Sequence, residues 1–100
     1  MRLTEFEIES IKKLAPRHFG SNVQVFLFGS RTNNQRRGGD IDLFFRNSDI
    51  THLKIRTKIN FITDLILLIG EQKIDIVLDD PGMEGSGFYT TINKSKIQIC

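Results

Sequence analysis

The chain is poor in the features that announce specialised classes of protein. It has one cysteine, Cys100, in 100 residues, so no internal disulfide is available. That suits a reducing compartment, where a thiol at this position is inert. It has no tryptophan, and eight of its nine aromatics are phenylalanine, which favours a dry packed core over a stacking surface. It has little net charge: a formal +2 does not by itself call for nucleic acid or a membrane surface. It also lacks a long apolar run. The longest, Leu65 to Ile69, falls far short of the roughly 20 residues that a membrane-spanning helix needs. Glu5, Glu7 and Glu9 follow closely on Met1-Arg2, where a secretory signal would carry an apolar stretch. The expectation is a soluble, cytoplasmic protein. Hydrophobic content of 39% with 26% charged residues is ordinary for a globular chain. Its length supports one domain over residues 1–100 with a real core and no separate second lobe.

What is present is a sequence of amphipathic segments. Thr4 to about Arg17 predicts a helix: Thr4 and Glu7 form a capping box, acidic residues gather in the first turn, and Ile8, Ile11, Leu14 and Ala15 make one apolar stripe. Pro16 predicts an end or a kink at about Ala15. Gly20-Ser21-Asn22 is a turn, and Val23 to Phe28 is a strand apolar enough to be covered on both faces. Asp40 to Phe45 is a second strand, followed by a turn at Asn47-Ser48-Asp49 that is suited to capping the next helix. Thr51 to Ile69 predicts the longest helix. Ile55, Ile59, Ile62, Ile66 and Ile69 form one stripe, Phe61, Leu65 and Leu68 a second, and Gly70 a stop. Lys73 to Leu78 is a third strand and Asp79-Asp80-Pro81-Gly82 a turn. Weaker signals give a short helix over Phe88 to Asn93 and a last strand over Lys96 to Cys100. Together these predict an α/β fold: a small mixed β-sheet with helices packed on one face.

The chemistry-bearing residues cluster in and around Val23 to Phe45. Side chains alternate across a strand, so Asp40 and Asp42 share one face, about 7 Å apart, while Ile41, Leu43 and Phe45 point into the core. In the third strand Ile74, Ile76 and Leu78 face one way, and Lys73, Asp75 and Val77 the other. Asp75 placed beside the second strand meets Asp40 and Asp42. Three carboxylates on one face repel one another unless cations neutralise them, the arrangement used in two-metal phosphoryl transfer. Gly29-Ser30 ends the first strand in a turn whose backbone N–H groups and hydroxyl suit phosphate. Arg31, Arg36 and Arg37 follow in the same loop.

Each signal has a plainer reading beside it. An isolated Asp-x-Asp is more often a turn residue and a solvent-facing strand residue, and Asp75 alone would pass for an edge-strand charge. Arg36 and Arg37 read most simply as a solvated loop. Asp64, Asp79 and Asp80 read as surface or turn charges, and Tyr89 as ordinary packing. His18 and His52 lack metal-ligand spacing. The Phe61, Leu65 and Leu68 stripe reads as core, with a partner-binding patch as the alternative. The spacing of Gly-Ser, Asp-x-Asp and a later strand Asp separates the site from these plainer readings.

Gly29-Ser30, nine residues, Asp40-Ile41-Asp42, and Asp75 within KIDIVL resemble the pattern of the DNA polymerase beta-type nucleotidyltransferase superfamily. The FGSR from Phe28 and the DIDL from Asp40 look like its small prokaryotic branch, the minimal nucleotidyltransferases, and the resemblance covers almost the whole chain. It implies a polymerase beta-like nucleotidyltransferase fold. It further implies that Asp40 and Asp42 ligate both of two Mg²⁺ ions that bind ATP or another nucleoside triphosphate. Asp75 would hold the second ion and help to deprotonate an acceptor hydroxyl. Gly29 and Ser30, with Arg31 assisting, would hold the β- and γ-phosphates. Minimal members often pair with a helical HEPN-domain protein as the antitoxin of a toxin–antitoxin system, and some attach AMP to a tyrosine of that partner. The implied function is protein adenylyltransferase. The alternative is a catalytically weak or inactive nucleotide-binding antitoxin that neutralises its partner by stoichiometric binding. The chain departs from many relatives at Gly38-Gly39, where they carry Ser or Thr before the first Asp. Larger relatives also carry an additional domain that binds the acceptor, and no stretch of these 100 residues is long enough to be one.

Overall fold

The computed structural model describes residues 3–29, 40–49, 51, 53–80 and 96–100. In chain order the elements are α1 (Glu5–Phe19), β1 (Gln24–Phe28), β2 (Ile41–Arg46), α2 (Ile55–Ile69), β3 (Ile74–Leu78) and β4 (Ile97–Gln98). The strands make one mixed sheet in the order β3-β2-β1-β4. β1 runs antiparallel to β2 and to β4, while β3 is parallel to β2 with α2 as the crossover between them.

α1 begins as its sequence requires. The Glu7 amide donates to the Thr4 hydroxyl at 3.0 Å, and the Thr4 amide donates back to the Glu7 carboxylate at 2.8 Å. The helix does not end at Ala15. It runs through Pro16 to Phe19 and stops at Gly20, whose amide donates to the Pro16 carbonyl at 3.1 Å. Proline removes one helical hydrogen bond, but the turn that follows it delivers Phe19 into the core. That ring is fully buried and stacks on Phe45 with centroids 4.4 Å apart. Burial of a phenylalanine contributes roughly 1.5–3 kcal/mol, which offsets the lost bond.

α2 starts at Ile55, four residues later than expected, and at 15 residues it equals α1 in length. The Asn47-Ser48-Asp49 segment does not cap it. Asn47 is buried, donating through Nδ2 to the Phe19 carbonyl at 2.7 Å and accepting from the Asp49 amide at 2.9 Å. Asp49 is committed to the amide and hydroxyl of Thr51. The N-cap position falls to Lys54, which makes no side-chain cap bond. The two apolar stripes of α2 also divide differently from the simplest reading. Phe61 and Leu65 are fully buried, whereas Ile55 and Ile59 are mostly exposed.

One core therefore lies between the two helices and one sheet face. It joins Ile11, Leu14, Ala15 and Phe19 of α1 and Phe61 and Leu65 of α2 to Val25, Leu27, Ile41, Leu43, Phe45, Ile74 and Ile76. Alternation then puts Phe26, Phe28, Asp42, Phe44, Arg46, Asp75 and Val77 on the opposite face. There Phe26 and Phe44 form a second, smaller buried cluster with Phe28 and Val77 against it. The last strand, expected over Lys96 to Cys100, is present as β4 and is extended by bonds between Val25 and Ile99 and Cys100. The expected helix over Phe88 to Asn93 and the turn at Pro81-Gly82 lie outside the described residues. Among the described residues no helix is long and apolar enough to cross a membrane.

Candidate functional site

The face of the sheet turned away from the helices is ordered in rows by the strand register. Phe28 pairs with Asp42, and Asp42 with Asp75. The next row holds Phe26, Phe44 and Val77. Beyond it stands Arg46, whose guanidinium lies over the rings of Phe26 and Phe44 at 5.9 and 5.4 Å and 3.5 Å from the Asp79 carboxylate. The Lys96 ammonium also lies over the Phe26 ring, at 4.6 Å. Carboxylates thus gather at the end of the sheet where β2 and β3 begin, and cations sit over the aromatic rows.

Asp42 and Asp75, 33 residues apart in sequence, are direct neighbours across the parallel pair. Asp40 precedes the first residue of β2 and lies beside Lys73, which precedes the first residue of β3. The Ile41 amide donates to the Lys73 carbonyl at 3.1 Å, and the Lys73 ammonium is 3.4 Å from the Asp40 carboxylate. Burial pushes the Asp42 carboxyl above the ordinary carboxylate range. The charges of Asp75 and Asp40 push it further, as does a side-chain hydrogen bond with Asp75, and Lys73 works the other way. This is the signature of like charges gathered on a partly dry surface.

Gly29 completes the local geometry. It ends β1 directly beside Asp42 with φ +75°, a left-handed conformation that side chains disfavour. A Cβ there would collide with the Asp42 carboxylate, with the carboxyl carbon itself only 3.2 Å away. Glycine thus suits the backbone conformation, and an added Cβ would push the end of the Asp42 side chain aside. The expected phosphate ligands Ser30 and Arg31 lie outside the described residues, as do Arg36, Arg37 and the Gly38-Gly39 departure.

The donor chemistry at this end of the sheet fits a hard divalent ion, which takes carboxylate oxygens and keeps water or phosphate in its remaining positions. The space that a Cβ would fill at Gly29 lies against one of those oxygens. The residues arrive unequally, however. Asp42 and Asp75 are side by side, while Asp40 is engaged by Lys73. Among the described residues no three His, Cys, Asp or Glu side chains are gathered into a ready-made metal-binding group. Lys73 is the participant that motif reading overlooked. Its alternation with Asp75 placed it on the correct face, but its partner depends on the β2–β3 register.

Other candidates resolve into structural roles. His18 is tied to Asp64 of α2 at 2.8 Å and meets the Phe61 ring edge-on, so it links the two helices. A groove of about 260 Å³, lined by Lys13, Leu14, Arg17, Asp64, Leu67 and Leu68, lies between the helices on the other side of the sheet from Asp42 and Asp75. It has no part in the carboxylate site. In comparisons with known proteins, no family model and no curated protein matches this chain.

Proposed function

We propose that the chain is a nucleotidyltransferase with a polymerase beta-like fold, transferring AMP from ATP to a hydroxyl of a partner protein with Mg²⁺. In this reading it is the antitoxin of a pair whose other member is a helical HEPN-domain protein. The observation that carries the reading is the direct pairing of Asp42 with Asp75 beneath Gly29. Gly29, Asp42 and Asp75, one residue from each piece of the sequence pattern, thus lie at one end of the sheet.

Mg²⁺ held by Asp40, Asp42 and Asp75 would supply charge neutralisation for the triphosphate and for the pyrophosphate that leaves. The remaining work falls to the protein's own groups. Gly29 keeps the backbone low enough for phosphate to approach Asp42. Asp75, at the exposed edge of the sheet, takes the proton from the acceptor hydroxyl. The hydroxyl oxygen then bonds to the α-phosphorus as the bond to the β-phosphate oxygen breaks. The test incubates the chain with Mg²⁺, α-labelled ATP and the protein encoded beside it. Label is expected on that protein with the parent chain and not with Asp42→Asn or Asp75→Asn. Absence of transfer, or equal transfer by Asp42→Asn, overturns the assignment.

A second reading is stoichiometric neutralisation without turnover. It is favoured by the side chains of α2 that face solvent, Ile55, Ile59, Leu67 and Leu68, which suit a protein partner. Neutralisation of the toxin by Asp42→Asn and Asp75→Asn as fully as by the parent would establish it over catalysis.

A further inference from the structure

Across the parallel pair of β2 and β3, four ionisable groups occupy two successive rows. Asp42 lies against Asp75, and Asp40 lies against Lys73, with the ammonium 3.4 Å from the Asp40 carboxylate. Among these four groups, three negative charges therefore share one positive charge. The coupling is reciprocal. The Lys73 ammonium is held above its ordinary range first by the hydrogen bond and charge of Asp40, then by the charges of Asp75 and Asp42. Lys73 in turn opposes the rise at Asp42. The Lys73 side chain is 72% exposed, so charge and not packing holds its flexible stem in place.

We propose that Lys73 is an internal counter-cation of the carboxylate cluster, holding Asp40 in the metal-free protein and releasing it when a divalent ion binds. The inference rests on the metal-binding reading of Asp40, Asp42 and Asp75 and adds a competitor to it. An ammonium and a divalent ion cannot share the oxygens of one carboxylate without facing each other at close range. Ion binding therefore expels Lys73 to solvent, and the affinity of the site is set against that contact. A lysine is suited to this role because a point charge on a long stem can leave without disturbing the strand beneath it.

The test uses the full chain with Mn²⁺ as probe. Isothermal titration calorimetry at low ionic strength compares the parent with Lys73→Met and Lys73→Arg, and thermal melts in EDTA follow the metal-free proteins. Because Lys73 is exposed, Lys73→Met leaves the core intact and keeps the length of the stem. A single and a double positive charge a few ångströms apart near a surface repel enough to shift a binding constant about tenfold. Lys73→Met is therefore expected to bind Mn²⁺ about tenfold more tightly than the parent. In EDTA it is expected to melt below the parent, and saturating Mn²⁺ should remove that deficit. Lys73→Arg, which keeps the charge, should stay within about twofold of the parent, and the gain in Lys73→Met should shrink as added salt screens it. Equal Mn²⁺ affinity in the parent and Lys73→Met would make the contact an ordinary surface ion pair. That result overturns the competition and leaves the metal reading standing. Weaker binding by Lys73→Met overturns it as well, since Lys73 would then be assembling the site. Failure of both proteins to bind Mn²⁺ overturns the metal reading and the competition together.

Discussion

Replacing Gly29 with alanine tests the geometry on which the site depends, and the structure separates its cost into two parts. The first is backbone strain: with φ at +75°, a residue carrying a Cβ is held in the left-handed region at about 1–2 kcal/mol. The second is steric. The added carbon would collide with the Asp42 carboxylate and crowd its carboxyl carbon at 3.2 Å. The acid must rotate away from Asp75, at about 0.5–1.5 kcal/mol for a displaced rotamer. The sum, about 1.5–3.5 kcal/mol, corresponds to a fall in melting temperature of roughly 6–28 °C for a domain of this size. Two controls divide it. Gly70 has φ +92° and ψ 168° with nothing within 4 Å of an added Cβ, so Gly70→Ala reports positive-φ strain without collision, as an upper bound because that extended region is essentially glycine-only. In an Asp42→Ala background the obstructing carboxylate is gone and the nearest remaining atom, the residue 42 Cβ, is at 3.4 Å, an ordinary contact. There Gly29→Ala should cost about 1–2 kcal/mol, leaving a coupling of about 1 kcal/mol in the double-mutant cycle by urea denaturation. If Gly29→Ala costs the same in both backgrounds, Gly29 does not pack against the Asp42 carboxylate, and the site as described is wrong.

Three further expectations concern charge, core and the buried turn. The carboxyl of Asp42 is raised in the folded protein, so the folded chain holds that proton more tightly than the unfolded one. Its contribution to stability is then present below the ordinary carboxylate range and is lost as pH rises through the raised value. Metal-free Asp42→Asn should therefore be more stable than the parent at neutral pH, with the gap closing towards about pH 4; a gap independent of pH in urea titrations contradicts this. Phe61→Ala removes a fully buried ring whose centroid lies 5.1 Å from Phe45 and 5.6 Å from Phe19. It should cost about 3–5 kcal/mol, so a melting temperature within a few degrees of the parent would remove α2 from the core. Asn47→Ala leaves the Phe19 carbonyl without its 2.7 Å donor in a buried setting and should cost about 1–3 kcal/mol. A loss of only a few tenths, measured by urea denaturation, would mean that water replaces the amide.

The strands were legible in the sequence because their signal is local. Ile41, Leu43 and Phe45 alternate with Asp40, Asp42 and Phe44; the first three are fully buried with their backs to the acids, and of the other three only Phe44 is buried, in the smaller cluster on the opposite face. The same alternation put Asp75 on the correct face of β3. What was not legible depends on contacts distant in sequence. Pro16 reads as a helix end, yet the helix continues because Phe19 has a stacking partner, Phe45, 26 positions later. α2 offers two apolar stripes of similar quality. Periodicity cannot say which one is buried, because that is decided by how α1 lies alongside, with His18 and Phe19 reaching Asp64 and Phe61. Asp49 looks like a helix cap until Thr51 is seen to take its carboxylate. The Lys73–Asp40 contact requires the β2–β3 register, which no local pattern specifies.

The strand order also explains why the three carboxylates are not equivalent. β2 is flanked by β1 and β3, so Asp42 has Phe28 on one side and Asp75 on the other. Among the described strands β3 stands at the edge and Asp75 is exposed, while Asp40 stands just outside β2 within reach of a lysine. Desolvation therefore concentrates on one carboxylate of the three, and it is the first cause of the rise at Asp42. A charge held in a partly dry place among like charges raises the free energy of the folded state. Any cation that neutralises it recovers that free energy on binding, whereas one approaching the exposed Asp75 or the paired Asp40 recovers much less. The central position of β2 thus sets Asp42 apart from Asp75 and Asp40, which act on it mainly through their charge.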